Sequence, residues 1–164
     1  MIQELLKIAV RAALEASMEI LEIYNLDNFE VQLKSYDSPL TKSDLVSNHV
    51  INSHLKKNNI PILSEEGKDN SYDKRKDWSQ LLIVDPIDDT KEFIKRNGEF
   101  TVNIAQIENQ TSIIVVVYAP TMQWDTAAGQ ATCEHAGFKA ADCITKKDLL
   151  YNRSKLLYNW FVVN

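Results

Sequence analysis

The chain has little of what holds very small or very extended proteins together. Cys133 and Cys143 are its only cysteines. They form no CxxC pair and no Cys/His cluster at zinc spacing, which excludes a disulfide framework and a zinc finger. Both read as free thiols in a reducing compartment. Four glycines and four prolines in 164 residues leave no room for a long linker or a low-complexity segment. Positive charge is also scarce, with 18 Lys and Arg against 23 Asp and Glu and a formal net charge of −5. That balance excludes a general basic surface for a nucleic acid polymer. A small phosphorylated ligand stays compatible with it, because a metal ion or a helix N-terminus can supply positive field locally. No segment approaches the ~20 apolar residues needed to cross a membrane. Glu4 and Lys7 interrupt the first apolar turns, unlike a signal peptide. The expected location is cytoplasmic.

What is present is an ordinary globular composition, 45% hydrophobic and 25% charged. A domain of about 150 residues buries roughly 68–70% of its unfolded surface, so a sizeable core is expected. Ile2, Leu5, Leu6, Ala9, Ala13, Ala16, Ile20 and Ile23 recur at spacings of three and four, predicting an amphipathic helix from Met1 to about Tyr24. Phe29, Val31 and Leu33 alternate with polar residues as in a half-buried strand. A second helix is expected to start at a hydroxyl cap, Thr41 or Ser43, with Asp44 in its first turn and an apolar face of Leu45, Val46, Val50, Ile51 and Leu55. Ile60 to Leu63 reads as a short strand ending at Ser64, Glu65, Glu66 and Gly67, and Lys68 to Asp77 as an exposed loop. Thr101 to Ile107 and Ser112 to Tyr118 predict a hairpin. A helix from Trp124 to about His135, with Asp125 at its start, and one closing strand in the tail complete the reading.

The centre of the chain is LLIVDPIDDTKEF, Leu81 to Phe93. A branched apolar run enters Asp85, Pro86, Ile87, Asp88, Asp89 and Thr90, so a buried strand is expected to stop in a group of hard oxygen donors suited to magnesium. Glu65, Glu66 and Asp125, also at element ends, are candidate additional ligands. Such a site would serve phosphoryl transfer to water, with Thr90 orienting the water and the following helix holding phosphate oxygens. On spacing alone a second reading stands beside it, with Asp88 as a helix N-cap, Asp85 as a turn former and Thr90 as a first-turn hydroxyl. His49, His54 and His135 have no partner at metal or nucleophile spacing, and Ser64 lacks a nucleophile-elbow pattern.

SPLTKSD at Ser38 to Asp44, PILSEEG at Pro61 to Gly67, LLIVDPIDDTKEFI at Leu81 to Ile94, NGEFTVNIA at Asn97 to Ala105, VVYAP at Val116 to Pro120 and WDTAAG at Trp124 to Gly129 occur in one order. In these motifs the chain resembles the inositol monophosphatase superfamily, and within it the bacterial 3′(2′),5′-bisphosphate nucleotidase (CysQ) family. The resemblance implies an α/β fold, an α+β layered sandwich of the sugar/inositol phosphatase type. It implies that Glu65, Asp85, the Ile87 carbonyl, Asp88 and Asp125 bind Mg2+, and that Thr90 paired with Asp44 activates water. The KEF after Thr90 favours adenosine 3′,5′-bisphosphate, converted to AMP and phosphate, as the substrate.

Two departures qualify the resemblance. The family pattern has Gly where this chain has Asp89, which puts a carboxylate against the substrate phosphate; at about 4 Å such charges repel by roughly 1–4 kcal/mol depending on dielectric. In family members most of a second lobe separates the VVYAP and WD motifs, whereas here only Thr121, Met122 and Gln123 do. Residues 1–120 are therefore expected to form an N-terminal α+β metal-binding lobe and 121–164 a remnant of the C-terminal α/β lobe, together one compact domain. Surface left bare by the shortened lobe suggests a homodimer. Two further readings remain: a truncated, catalytically weak or inactive member that retains metal binding, and a non-enzymatic interaction module.

Overall fold

The computed structural model describes residues 2–26, 31–33, 39–67, 71–120, 137, 139–142, 147 and 161–163. Asp125, the expected helix from Trp124 and both cysteines lie outside the described residues.

The elements in chain order are α1 (Ile2–Tyr24), β1 (Val31–Leu33), β2 (Pro39–Thr41), α2 (Lys42–Leu55), β3 (Ile62–Ser64), a short α3 (Tyr72–Arg75), β4 (Gln80–Asp88), α4 (Thr90–Lys95), β5 (Thr101–Glu108), β6 (Thr111–Tyr118), β7 (Ala140–Asp142) and β8 (Phe161–Val163). A four-stranded sheet of order β3-β4-β5-β6 carries the architecture. β3 runs parallel to β4, while β4, β5 and β6 are antiparallel. Asn109 and Gln110, both with positive φ (47° and 65°), close the β5–β6 hairpin, a two-residue turn whose twist suits the flanking strands. β1 pairs with β2, and the closing strand expected in the tail is present as β8, paired with β7.

The core lies between one face of this sheet and α1 with α2. Leu82 and Val84, Val102 and Ile104, and Ile114 and Val116 alternate inward from three strands, as period-two patterning requires. They meet Ala9, Ala12, Ala13, Ala16 and Ile20 of α1 and Ile51 and Leu55 of α2. The alanines leave α1 little side-chain bulk at this interface. Truncating Leu82 or Ile104 to Ala should cost about 2–5 kcal/mol.

Two expectations are corrected on this face. Leu45 is 48% exposed rather than part of the α2 core face, which is built from Ser43, Asp44, Ser47, Ile51 and Leu55. The first turns of α2 thus bury polar side chains. The run Leu81 to Val84 is not buried throughout either: Ile83 is 42% exposed, together with Val115 and Val117 on the sheet's outer face. The expected loop after Gly67 contains the one-turn helix α3.

Tyr24, Phe93 and Phe100 form a compact aromatic trio with ring centroids 5.2–5.3 Å apart. Phe93 is fully buried and belongs to α4, so the trio anchors α4 and with it Thr90, the first residue of that helix. At the other end of α4, Arg96 adopts a left-handed conformation and its guanidinium donates to the Leu26 carbonyl.

Candidate functional site

Residues three apart on a regular strand point to opposite faces of the sheet. Asp85 and Asp88 escape that rule through a bulge. Asp85 pairs with Asn103 and Asp88 with Thr101, so three steps on β4 cover two on β5. The extra residue brings Asp88 back toward the face of Asp85, and the Asn103 amide donates to Asp88 Oδ2 at 3.0 Å. Pro86, which has no N–H for the ladder, falls within this bulge, where proline is tolerated. β4 therefore ends within the expected group of oxygen donors, carrying both aspartates as far as Asp88.

Asp44 holds the opposite side of the site. It is 1% exposed and completes a capping box on α2. The Thr41 amide donates to Asp44 Oδ2 at 2.7 Å and the Thr41 hydroxyl donates to the same oxygen. The remaining oxygen, Oδ1, receives the Thr90 hydroxyl at 3.1 Å. The Ile87 carbonyl also lies 3.1 Å from that hydroxyl. Of the two cap candidates, Thr41 is the cap and Ser43 is not. Asp44 is more than a dipole-favoured carboxylate, since it joins α2 to the start of α4 across 46 residues of sequence.

The alternative in which Asp88 caps α4 is not what the structure shows: Asp88 ends β4 and Asp89 occupies the cap position. Asp89 has φ 65° and ψ 48°, and its side chain makes no capping hydrogen bond. Left-handed backbone costs a residue with a Cβ roughly 1–2 kcal/mol, although Asp tolerates it better than most. Beside it an open cavity of about 670 Å³ is lined by Asp88, Asp89, Glu99, Thr101, Asn103 and neighbouring apolar residues.

Glu65 reaches the cluster from the turn after β3. Its amide donates to the Val84 carbonyl at 3.0 Å, placing it one step beyond the β3–β4 ladder, alongside Asp85. Burial, followed by the charges of Glu65 and Asp88 and a hydrogen bond with Glu65, pushes the Asp85 carboxyl up to about 7, with the Ile87 amide opposing. Asp85 Oδ1 is buried and has no hydrogen-bond partner. Among the described residues no three His, Cys, Asp or Glu side chains are gathered closely enough to enclose a metal ion. The oxygen donors, their mutual repulsion and the orphaned Oδ1 nonetheless fit a hard divalent cation, which would relieve the repulsion and pair the orphaned oxygen.

The structure thus sets Glu65 and Asp88 near Asp85, joins Thr90 to Asp44 and the Ile87 carbonyl, and places Asp89 at the cap of α4 immediately before Thr90. Asn103 was not singled out from the sequence, although its place opposite Asp85 follows once the hairpin register is known. Asn48, likewise not singled out, lies four residues after Asp44 on α2, a spacing that repeats one helix face.

The model of the inositol monophosphatase family matches residues 1–123. The 3′(2′),5′-bisphosphate nucleotidase CysQ of Shigella flexneri is 41% identical over 132 residues, covering 77% of this chain and 53% of its own length. The crystal structure of CysQ from Bacteroides thetaiotaomicron, described as a bacterial member of the inositol monophosphatase family, has a TM-score of 0.67 at 27% identity, covering 98% of this chain and 97% of that one. Extragenic suppressor protein suhB from Bartonella henselae has a TM-score of 0.63 at 26% identity over 71% of this chain and 45% of its own. The fold is therefore the mixed α/β type expected from the sequence. The chain belongs to the inositol monophosphatase family. It spans about half the length of the curated relatives it matches.

Proposed function

We propose that the chain is a magnesium-dependent phosphatase of small phosphomonoesters, with adenosine 3′,5′-bisphosphate as the favoured substrate. The observation that carries this reading is the junction of two unlike groups. A fully bonded Asp44–Thr90 pair stands beside a carboxylate cluster whose central member, Asp85, keeps an orphaned oxygen. The nucleotidase names of the relatives support the substrate class.

In this reading Glu65, Asp85, the Ile87 carbonyl and Asp88 hold the cation, joined by Asp125. When bound, the cation neutralises phosphate charge and acidifies water within its reach. Thr90, its proton directed at Asp44, presents oxygen lone pairs to the attacking water and passes a proton toward the Asp44 carboxylate. Asn103 keeps Asp88 oriented. Phosphate release from adenosine 3′,5′-bisphosphate and inositol 1-phosphate, with and without magnesium, tests the proposal. No release from either substrate, by the protein or by its Asp89→Gly variant, would refute it.

The exposed carboxylate of Asp89 favours a second reading, a catalytically weak or inactive member that retains the cation site. Binding of magnesium without turnover, and turnover regained on Asp89→Gly, would establish it. We further read residues 1–120 as one lobe with 121–164 as a remnant of a second, and the cytoplasm as the compartment. No described helix is long and apolar enough to cross a membrane. The exposed Ile83, Val115 and Val117 support the expected homodimer, which light scattering at micromolar concentration would exclude by showing a monomer.

A further inference from the structure

We infer that Asn48 is a positioning residue for the turn that presents Glu65, an inference that rests on the reading of Glu65 as a cation ligand. Asn48 lies on α2, one helical turn after Asp44. Its Nδ2 donates to the Glu66 carbonyl at 3.2 Å, and its Oδ1 accepts the Ser64 hydroxyl at 2.8 Å. Asn52 Nδ2 braces it, reaching both Asn48 Oδ1 and the Asn48 carbonyl at 2.7 Å. The orientation of the amide follows from these partners: reversed, it would set an oxygen against the Glu66 carbonyl and an N–H donor against the Asn52 amide.

The two groups held by Asn48, at Ser64 and Glu66, flank Glu65 on either side. The β3–β4 ladder fixes the backbone up to the Glu65 amide, which bonds to Val84. Beyond it the turn closes on itself through the Gly67 amide and the Ser64 carbonyl at 3.0 Å. Any side chain at Gly67 would crowd that carbonyl, since its Cβ would lie 3.0 Å away. One helix thus controls two distant parts of the site, Thr90 through Asp44 and Glu65 through Asn48.

Polar side chains that orient a metal ligand typically alter metal affinity by 10–100-fold. The test compares Asn48→Ala and Ser64→Ala with the unaltered protein by two readouts: amide hydrogen exchange of the metal-free protein and calorimetric titration with magnesium. Asn48→Ala should raise exchange at Gly67 by about tenfold or more while the Ile51 and Leu55 amides of α2 stay protected. It should weaken magnesium binding by at least about tenfold, with kcat at saturating magnesium far less affected. Ser64→Ala, which leaves the Glu66 contact in place, should show the same pattern at smaller size and serves if Asn48→Ala does not fold. Unchanged turn exchange and unchanged magnesium affinity would overturn the inference, as would a loss of protection spread evenly over α2. If the unaltered protein binds no magnesium while the turn still loosens on Asn48→Ala, the phosphatase reading fails and the clamp on the turn stands.

Discussion

The two sides of the site solve opposite problems. On the α2 side, Asp44 is buried and both its oxygens are bonded, so its charge is compensated by the protein alone. On the β4 side, Asp85 faces Glu65 and Asp88 with one oxygen unbonded, and Asp89 stands exposed in a left-handed turn. The first side is finished by folding, whereas on the second, among the described residues, like charges are gathered around a buried carboxyl. A buried carboxylate surrounded by donors marks a scaffold element; one surrounded by other carboxylates marks a place for a cation.

The comparison is broken most severely by removing its compensated member. Asp44→Ala takes away the capping box and leaves the Thr41 donors buried without a partner, for an expected loss of about 2–4 kcal/mol in denaturant unfolding. Phosphate release should vanish with it, because Thr90 loses its proton acceptor. If stability is unchanged, Asp44 does not hold α2 to α4.

A pH series probes the uncompensated side. The Asp85 carboxyl sits at about 7 in the folded chain against 3.8 for an ordinary Asp, so folding favours its protonated form. Its contribution is present below pH 3.8 and lost as pH rises through about 7. The metal-free protein should therefore unfold at lower denaturant at pH 8 than at pH 5, after allowance for other groups. Asp85→Asn should flatten that trend, and saturating magnesium at pH 8 should restore stability to the unaltered chain. Equal slopes for the two proteins would show that Asp85 does not carry the effect.

Asp89→Gly should act more gently on the fold and in the favourable direction. Glycine relieves the left-handed conformation by roughly 1 kcal/mol, partly offset by the greater freedom of the unfolded chain. Lifting the carboxylate should also lower KM for a phosphomonoester, which steady-state kinetics would register. The smallest effect is expected at the periphery. Glu15 accepts from His54 at 2.8 Å and Arg11 at 3.0 Å, bonds that hold its pKa below the ordinary 4.5. Glu15→Gln should slightly lower the unfolding temperature at pH 7, and the difference should shrink as pH falls through the range in which Glu15 protonates.

Period and capping chemistry made much of the fold legible: α1, α2 and the β5–β6 hairpin all follow from spacing. Tertiary context decided the rest. Leu45 looks like core on a helical wheel, but the N-terminal half of α2 faces the site, so that face buries Ser43, Asp44 and Ser47 instead. Asp85 and Asp88 were legible as a pair, yet their shared face depends on a bulge that period-two reasoning alone would deny. Asn103 and Asn48 were missed because an isolated asparagine carries no spacing signal. Their roles depend on strand register and on a turn that folds back against a helix.

In the proposed function Asp85 is the centre of a cation site and holds a proton near neutrality when the cation is absent. Calorimetric titration of the metal-free protein with magnesium at pH 7, in two buffers of different ionisation enthalpy, measures both parts at once. The expected result is saturable binding whose apparent enthalpy differs between buffers, reporting proton release, with binding greatly weakened in Asp85→Asn. No binding, or binding with the same enthalpy in both buffers and in the variant, would contradict it.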